Sequence, residues 1–226
     1  MRQVQQQVRF KRTRELPKRV FKPIAEGIRK LKSEHKSLKN LDEKQVFQSN
    51  TAQDTVKRRF IYCIALSEIV GTFVGAPIGG AVAQYSTGDA YNGILGTIAG
   101  DYFPAVAAIC VTWHHVNRKY YLHFDSVWAK AKEFFKDVLS LNTVTTIAAL
   151  PAYLASAALS AGYVKAAELF SERFAHGFPV AVVEETLNYV IAEAIYLFTL
   201  FKISKLALDR FTKKYDDYLT QEFGNR

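Results

Sequence analysis

The apolar positions of this chain gather into long blocks instead of recurring as stripes. Four blocks, near residues 60–85, 102–123, 138–161 and 178–202, are each long enough to cross a bilayer core of about 30 Å, which takes roughly 20 helical residues. The third is the clearest. Residues 145–159, TTIAALPAYLASAAL, carry no charge on any face, whereas a helix of a soluble bundle would show a polar stripe. The pattern predicts an all-α integral membrane protein with four transmembrane helices.

Charge divides the chain more sharply than hydropathy does. The mean hydropathy of −0.04 resembles that of a soluble protein, but it averages two unlike regions. Residues 1–59 hold 17 Lys/Arg against 6 Asp/Glu, while the whole chain of 226 residues carries a net +9, so the remainder is close to neutral. No Lys or Arg occurs between Arg59 and Arg118, between Lys136 and Lys165, or between Arg173 and Lys202. A globular domain, in which about a quarter of residues are charged, seldom shows such gaps.

Basic residues also predict orientation, because they collect on the cytoplasmic side. The arm before the first block is basic, and the connection QYSTGDAYNG after it has no base. The second block is followed by Arg118, Lys119, Lys130, Lys132 and Lys136, and the fourth by Lys202, Lys205, Arg210, Lys213 and Lys214. Both termini and the central connection are therefore expected in the cytoplasm. The division expected is a basic arm over 1–58, a two-helix unit with its connection over 59–136, a second two-helix unit over 137–208, and a cytoplasmic tail over 209–226. In the arm, FKPIAEGIRKLK places Phe21, Ile24, Ile28 and Leu31 at helical spacing among basic residues, a pattern suited to anionic lipid. Nucleic acid is the weaker reading, since a polybasic flank is already expected beside the first span. Residues 1–20 have no apolar h-region of a cleavable signal, and neither end carries a lipidation motif.

The two halves read as a parallel 2+2 internal repeat. Phe60, Gly71, Thr72, Pro77, Ser86 and Gly88 align with Phe134, Thr145, Thr146, Pro151, Ser160 and Gly162; Asp101-Tyr102-Phe103-Pro104 then aligns with His176-Gly177-Phe178-Pro179. Pro104 and Pro179 suit helix starts, where a proline forfeits no hydrogen bond. Pro77 and Pro151 fall within spans and should kink or break them. Gly71, Gly75 and Gly79 form a glycine-zipper face that lets another backbone come close. The third span has a similar small-residue stripe in Ala148, Ala152, Ser156 and Ser160, so spans one and three are expected to cross closely or to make an oligomer seam.

Ionisable groups within spans cost about 2.5–3.5 kcal/mol at the centre and so mark candidate sites. Glu68 and Glu193 are expected at similar depths, and the repeat pairs Glu68 with Asn142 and Glu193 with Arg118. The four would form a polar layer in the cytoplasmic half, as an ion pair or as a proton or cation site. Asp101 and His176 are expected near the outer mouth as a pair, with Asp101 alternatively a helix cap. Glu184 and Glu185 are candidates for an ion pathway. His114 and His115 are weak metal candidates, because neighbours on a helix project about 100° apart. Cys63 and Cys110 both lie in apolar blocks and imply neither a disulfide framework nor a zinc site. No phosphate-binding loop or hydrolase motif occurs, so no catalytic residue and no cofactor is assigned. Three function classes fit: a small channel or transporter for a cation, proton or small solute; a non-catalytic subunit of a larger membrane assembly, or a homo-oligomer; and a membrane enzyme acting on lipid or quinone.

Overall fold

A computed structural model of the chain describes residues 26, 27, 29–169 and 178–224, with backbone alone for 178–190 and 193. The fold is all-α. It falls into two units, 1–41 and 42–226. In the first, residues 29–39 form a helix, α1; most of the lipid-binding helix expected over 21–32 lies outside the described residues. The second unit contains α2 (Glu43–Gln48), α3 (Ala52–Val70), a π-helical turn (Gly71–Gly75), α4 (Ala76–Thr87), α5 (Ala90–Val116), α6 (Arg118–Leu122), α7 (Val127–Glu168) and α8 (Phe178–Phe223).

Three helical stretches are long and apolar enough to cross a membrane: Ala52–Thr87, Ala90–Val116 and Val127–Glu168. Their outward faces carry large apolar side chains. Phe73, Leu95, Phe103, Val111 and Leu154 are each more than half exposed. The side chains of the first half of the fourth expected span lie outside the described residues. Its backbone is helical and continues without interruption to Phe223. The segment expected as a tail is therefore helix, with Phe211, Tyr215 and Leu219 buried along one face.

Several boundaries differ from expectation, each for a local reason. The second span begins at Ala90 instead of 102, because Asp89 accepts a hydrogen bond from the Tyr91 amide at 3.1 Å and caps the helix. Gly88, at φ 69°, closes the preceding helix in the left-handed conformation that glycine adopts without strain. Residues 90–101 are thus the first turns of α5, and Pro104 stands within that helix instead of starting it. Asp101 is accordingly no helix cap. The interruption expected at Pro77 falls just before it. Proline offers no amide hydrogen, and the chain widens into the π turn, where the Ala76 amide reaches back five residues to the Gly71 carbonyl. Pro151, its counterpart in the repeat, sits inside a helix that stays α throughout.

The glycine face meets α5, and not the third span. A Cβ on Gly71 would stand 2.6 Å from both the carbonyl oxygen and Oδ1 of Asp101. One on Gly75 would collide with the Gly100 carbonyl, and one on Gly79 with that of Gly96. Since Gly96 and Gly100 are glycines too, the two backbones touch directly. Gly75→Leu should therefore destabilise the protein by about 1–3 kcal/mol or more through overpacking. Gly162 has nothing within 4 Å of a Cβ, and Gly162→Ala should be neutral or stabilising by up to about 1 kcal/mol. Unfolding of both variants in detergent, monitored by helical circular dichroism, tests the contrast.

Candidate functional site

Two polar centres lie in the second unit. The first gathers around Arg59, which is only 2% exposed. Its Nη1 donates to Asn117 Oδ1 at 3.0 Å and its Nη2 to the Tyr215 hydroxyl at 3.3 Å. Glu43 Oε1 lies 3.6 Å from Nη2, and the guanidinium carbon sits 4.6 Å above the Tyr215 ring. Glu43 in turn accepts from Tyr218 at 2.5 Å and from Tyr215 at 3.4 Å. A carboxylate and a guanidinium this deeply buried are tolerable because each is paired and further hydrogen-bonded. The short helix α2 is positioned by its Asp42 cap, which accepts from the Lys44 amide, and this aims Glu43 inward.

From Asn117 the network continues. Asn117 Nδ2 donates to the Trp113 carbonyl, Trp113 Nε1 to the Tyr121 hydroxyl, and Tyr121 to Asp137 Oδ2, each at 3.0 Å. Asp137 Oδ1 accepts from Lys214 at 2.6 Å, and Lys214 also bonds Glu133. A single chain of contacts thus ties α2, α3, α5, α6, α7 and α8 together at one end of the unit. Burial pushes the Tyr215 hydroxyl up to about 12; Arg59 counters this, and the Glu43 carboxylate adds to it. Tyr218 is pushed up further, by burial first and then by its bond to Glu43.

The second centre lies about midway along α5. Asp101 stands roughly three turns from Ala90 and four from Val116. Its Oδ1 accepts from Thr72 Oγ1 at 3.0 Å and its Oδ2 from the Tyr153 hydroxyl at 2.8 Å. Thr72 belongs to the π turn, so the irregular backbone delivers one donor and α7 the other. π turns recur at functional sites because they re-aim a side chain. Glu68, the last acid before the turn, lies within Coulombic reach of Tyr153. Tyr102 and Thr146 share a hydrogen bond at 3.2 Å beside this centre.

Of the polar layer expected from the sequence, Glu68, Arg118 and Asn142 are described with their side chains and Glu193 is not. Arg118 is exposed at the start of α6, and among the described residues the buried cation is Arg59. Asn142 donates to Cys110 Sγ at 3.9 Å. His176 and the side chains of Glu184, Glu185 and Glu193 lie outside the described residues. His114 stacks on Tyr121 with ring centroids 5.9 Å apart and meets Phe134 edge-on. Among the described residues, no three His, Cys, Asp or Glu side chains converge as a metal site. Thr72 enters the sequence pattern only through the repeat, and Tyr153 reads as an ordinary span residue. In the sequence, Arg59 reads as the end of the basic arm. The one signal for the Arg59 centre was the Phe211, Tyr215, Tyr218, Leu219 stripe, at helical spacing beyond the fourth apolar block. No protein-family model, no curated protein and no solved structure matches this chain.

Two outcomes follow for the Arg59 centre. Arg59→Met leaves Glu43 buried without its cation and should cost about 3–5 kcal/mol, and the double variant with Glu43→Gln should cost less than the sum of the two. Chemical unfolding in detergent measures both. The raised folded-state value of Tyr215 means that the neutral phenol is favoured in the fold. Its stabilisation is complete below the unfolded value of about 10 and is lost as pH rises toward about 12. A tyrosinate absorbance titration should show Tyr215 ionising late, and Tyr215→Phe should remove that part of the alkaline loss.

Proposed function

We propose that the chain is an integral membrane protein that forms a small channel or transporter for protons or another small cation, with Asp101 as its central carboxylate. The observation that carries this reading is the placement of Asp101. A carboxylate about midway along an apolar helix, gripped by hydroxyls from a π turn and from a neighbouring span, is costly to keep there. Such groups mark ion and proton pathways. Glu68 adds a second acid close by.

The finer topology belongs to the same proposal. The first half of α8 is the fourth span, the halves are a parallel repeat, and both termini are cytoplasmic, with the basic arm on anionic lipid. Support for that arrangement comes from the Arg59 network, which brings together the start of α3, the end of α5, the first turns of α7 and the last part of α8. Helices that alternate in direction across a bilayer would meet in this way on one side. Glu184, Glu185 and Glu193, in the fourth span, belong to the same proposal as candidate acids of the pathway.

A second reading, as a subunit of a larger membrane assembly or a homo-oligomer, is favoured by one feature. Val127 and Trp128 open α7 with more than four-fifths of their surfaces exposed, at the same end as the charged network. They fit either a partner chain or the headgroup level, where tryptophan collects.

The test is flux through the purified full chain in liposomes. The wild type should carry protons or a monovalent cation above the empty-vesicle background, and Asp101→Asn should lose about tenfold or more of that rate. Absence of flux, together with stoichiometric foreign subunits in native mass spectrometry, would replace this reading with the assembly one.

A further inference from the structure

Where the apolar part of α7 begins, α8 lays an arginine against its flank. Residues 138–164 of α7 carry no charge, and Ser140 stands near the start of that run. Arg210 of α8 donates from Nη1 to Ser140 Oγ at 3.0 Å. The serine hydroxyl gives its own proton to the Lys136 carbonyl, one turn back, at 2.8 Å. A lone pair of Ser140 is thereby left for Arg210, and the guanidinium is braced on α7. Arg210 is nonetheless exposed, and no carboxylate among the described residues pairs with it. Lys214, one turn further along α8, is the contrast, because Glu133 and Asp137 both neutralise it. Lys136 has only a share of Glu133, at 3.4 Å, and half of its side chain is exposed. Asp209, next to Arg210 in the chain, projects about 100° away from it around the helix. The seam between α7 and α8 is thus edged by two cations that the fold leaves largely uncompensated.

Away from this charged end, the same flank turns apolar on both helices. Leu206, one turn from Arg210, is 81% exposed, and Ile147, two turns from Ser140, is 55% exposed. Residues four and seven apart share a helix face, so each lies on the side that carries the cations. We propose that this flank of the α7–α8 seam binds an anionic phospholipid, with the phosphate between Arg210 and Lys136 and an acyl chain along Leu206 and Ile147. The site rests on the membrane reading of the chain and is independent of ion flux.

The chemistry of the two ends selects the ligand. A guanidinium holds a phosphate through paired, charge-assisted hydrogen bonds, and a lysine adds a point charge. Ser140 fixes Arg210 in place while occupying one of its donors, so the remaining donors are presented with little further loss of side-chain freedom. Basic positions between helices at the membrane border are where lipid headgroups are captured. The apolar residues identify lipid as the carrier of the phosphate, because a soluble phosphate gains nothing from exposed leucine and isoleucine. A zwitterionic lipid would bring its own ammonium toward Arg210 and Lys136, and like charges repel. The net negative headgroup is therefore preferred.

The experiment titrates the purified full chain in detergent with phosphatidylglycerol and, separately, with phosphatidylcholine, and reads bound lipid by native mass spectrometry. Phosphatidylglycerol should bind about tenfold or more tightly than phosphatidylcholine, and Arg210→Gln should weaken it by about tenfold. Lys136→Gln should weaken it by about threefold or more, and it becomes the deciding variant if Arg210→Gln is not monodisperse. Lys57→Gln removes an equal charge from an exposed position on α3 and should stay within about twofold of wild type. If Lys57→Gln falls as far as Arg210→Gln, the lipid is drawn by the basic surface in general and the site is overturned. Phosphatidylglycerol binding that survives both Arg210→Gln and Lys136→Gln overturns it as well. Displacement by glycerol 3-phosphate at the same concentration would make the ligand a soluble phosphate and remove the lipid from the inference. Flotation with phosphatidylcholine liposomes separates the site from the reading beneath it. A chain that floats but shows no preference for phosphatidylglycerol loses the site alone, and a chain that does not float loses both.

Discussion

The Arg59 guanidinium is the constraint from which the second unit is organised. A cation with 2% of its surface exposed must find its partners within the fold, because water is out of reach. It finds them on three other elements: Glu43 on α2, Asn117 at the end of α5, and Tyr215 on α8. None of these bonds forms unless the helices that carry them arrive together. The network thus converts one desolvated charge into a registration mark for the bundle's end, and Asn117 passes that register on through Trp113 and Tyr121 to α7.

A different physics operates along the long apolar helices. There, α4 and α5 approach through glycines on both sides, and contact between backbones replaces side-chain interdigitation. That approach brings the Asp101 carboxylate against the π turn, where Thr72 can reach it. Proline is central to the arrangement: by withholding an amide hydrogen at position 77, it favours the wider turn just before it. One missing hydrogen bond and the glycines of both helices together bring the Thr72 hydroxyl to the Asp101 carboxylate.

The architecture was legible in the sequence wherever it depends on composition. Three of the four apolar blocks coincide with helices able to cross a membrane, and residues 145–159 lie within one of them. Boundaries were less legible. The second helix begins at Ala90 because of an aspartate cap following a left-handed glycine, a cue that the phenylalanine–proline pair at 103–104 obscured. The site was read in part. Glu68 is marked as an acid within an apolar block, Asn142 as its counterpart in the repeat and Asp101 as a residue of the outer mouth, but their partners carry no such mark. Thr72, Tyr102, Thr146 and Tyr153 are unremarkable in a span until tertiary contacts choose them. Arg59 was misleading for a related reason: seventeen basic residues in one stretch read as a solvated flank, and only packing distinguishes the one that is buried.

The continuity of α7 has a mechanical consequence. The helix runs unbroken for 42 residues and carries Asp137 in one polar centre and Tyr153 in the other, about 24 Å apart along a stiff rod. Pivoted at Asp137, a tilt of about 5° would carry the Tyr153 hydroxyl sideways by about 2 Å, enough to break its bond to Asp101. Lever action of this kind makes the bond at mid-span a gauge of the salt bridges at the helix base, so that loosening Lys214 from Asp137 is felt where Asp101 is held.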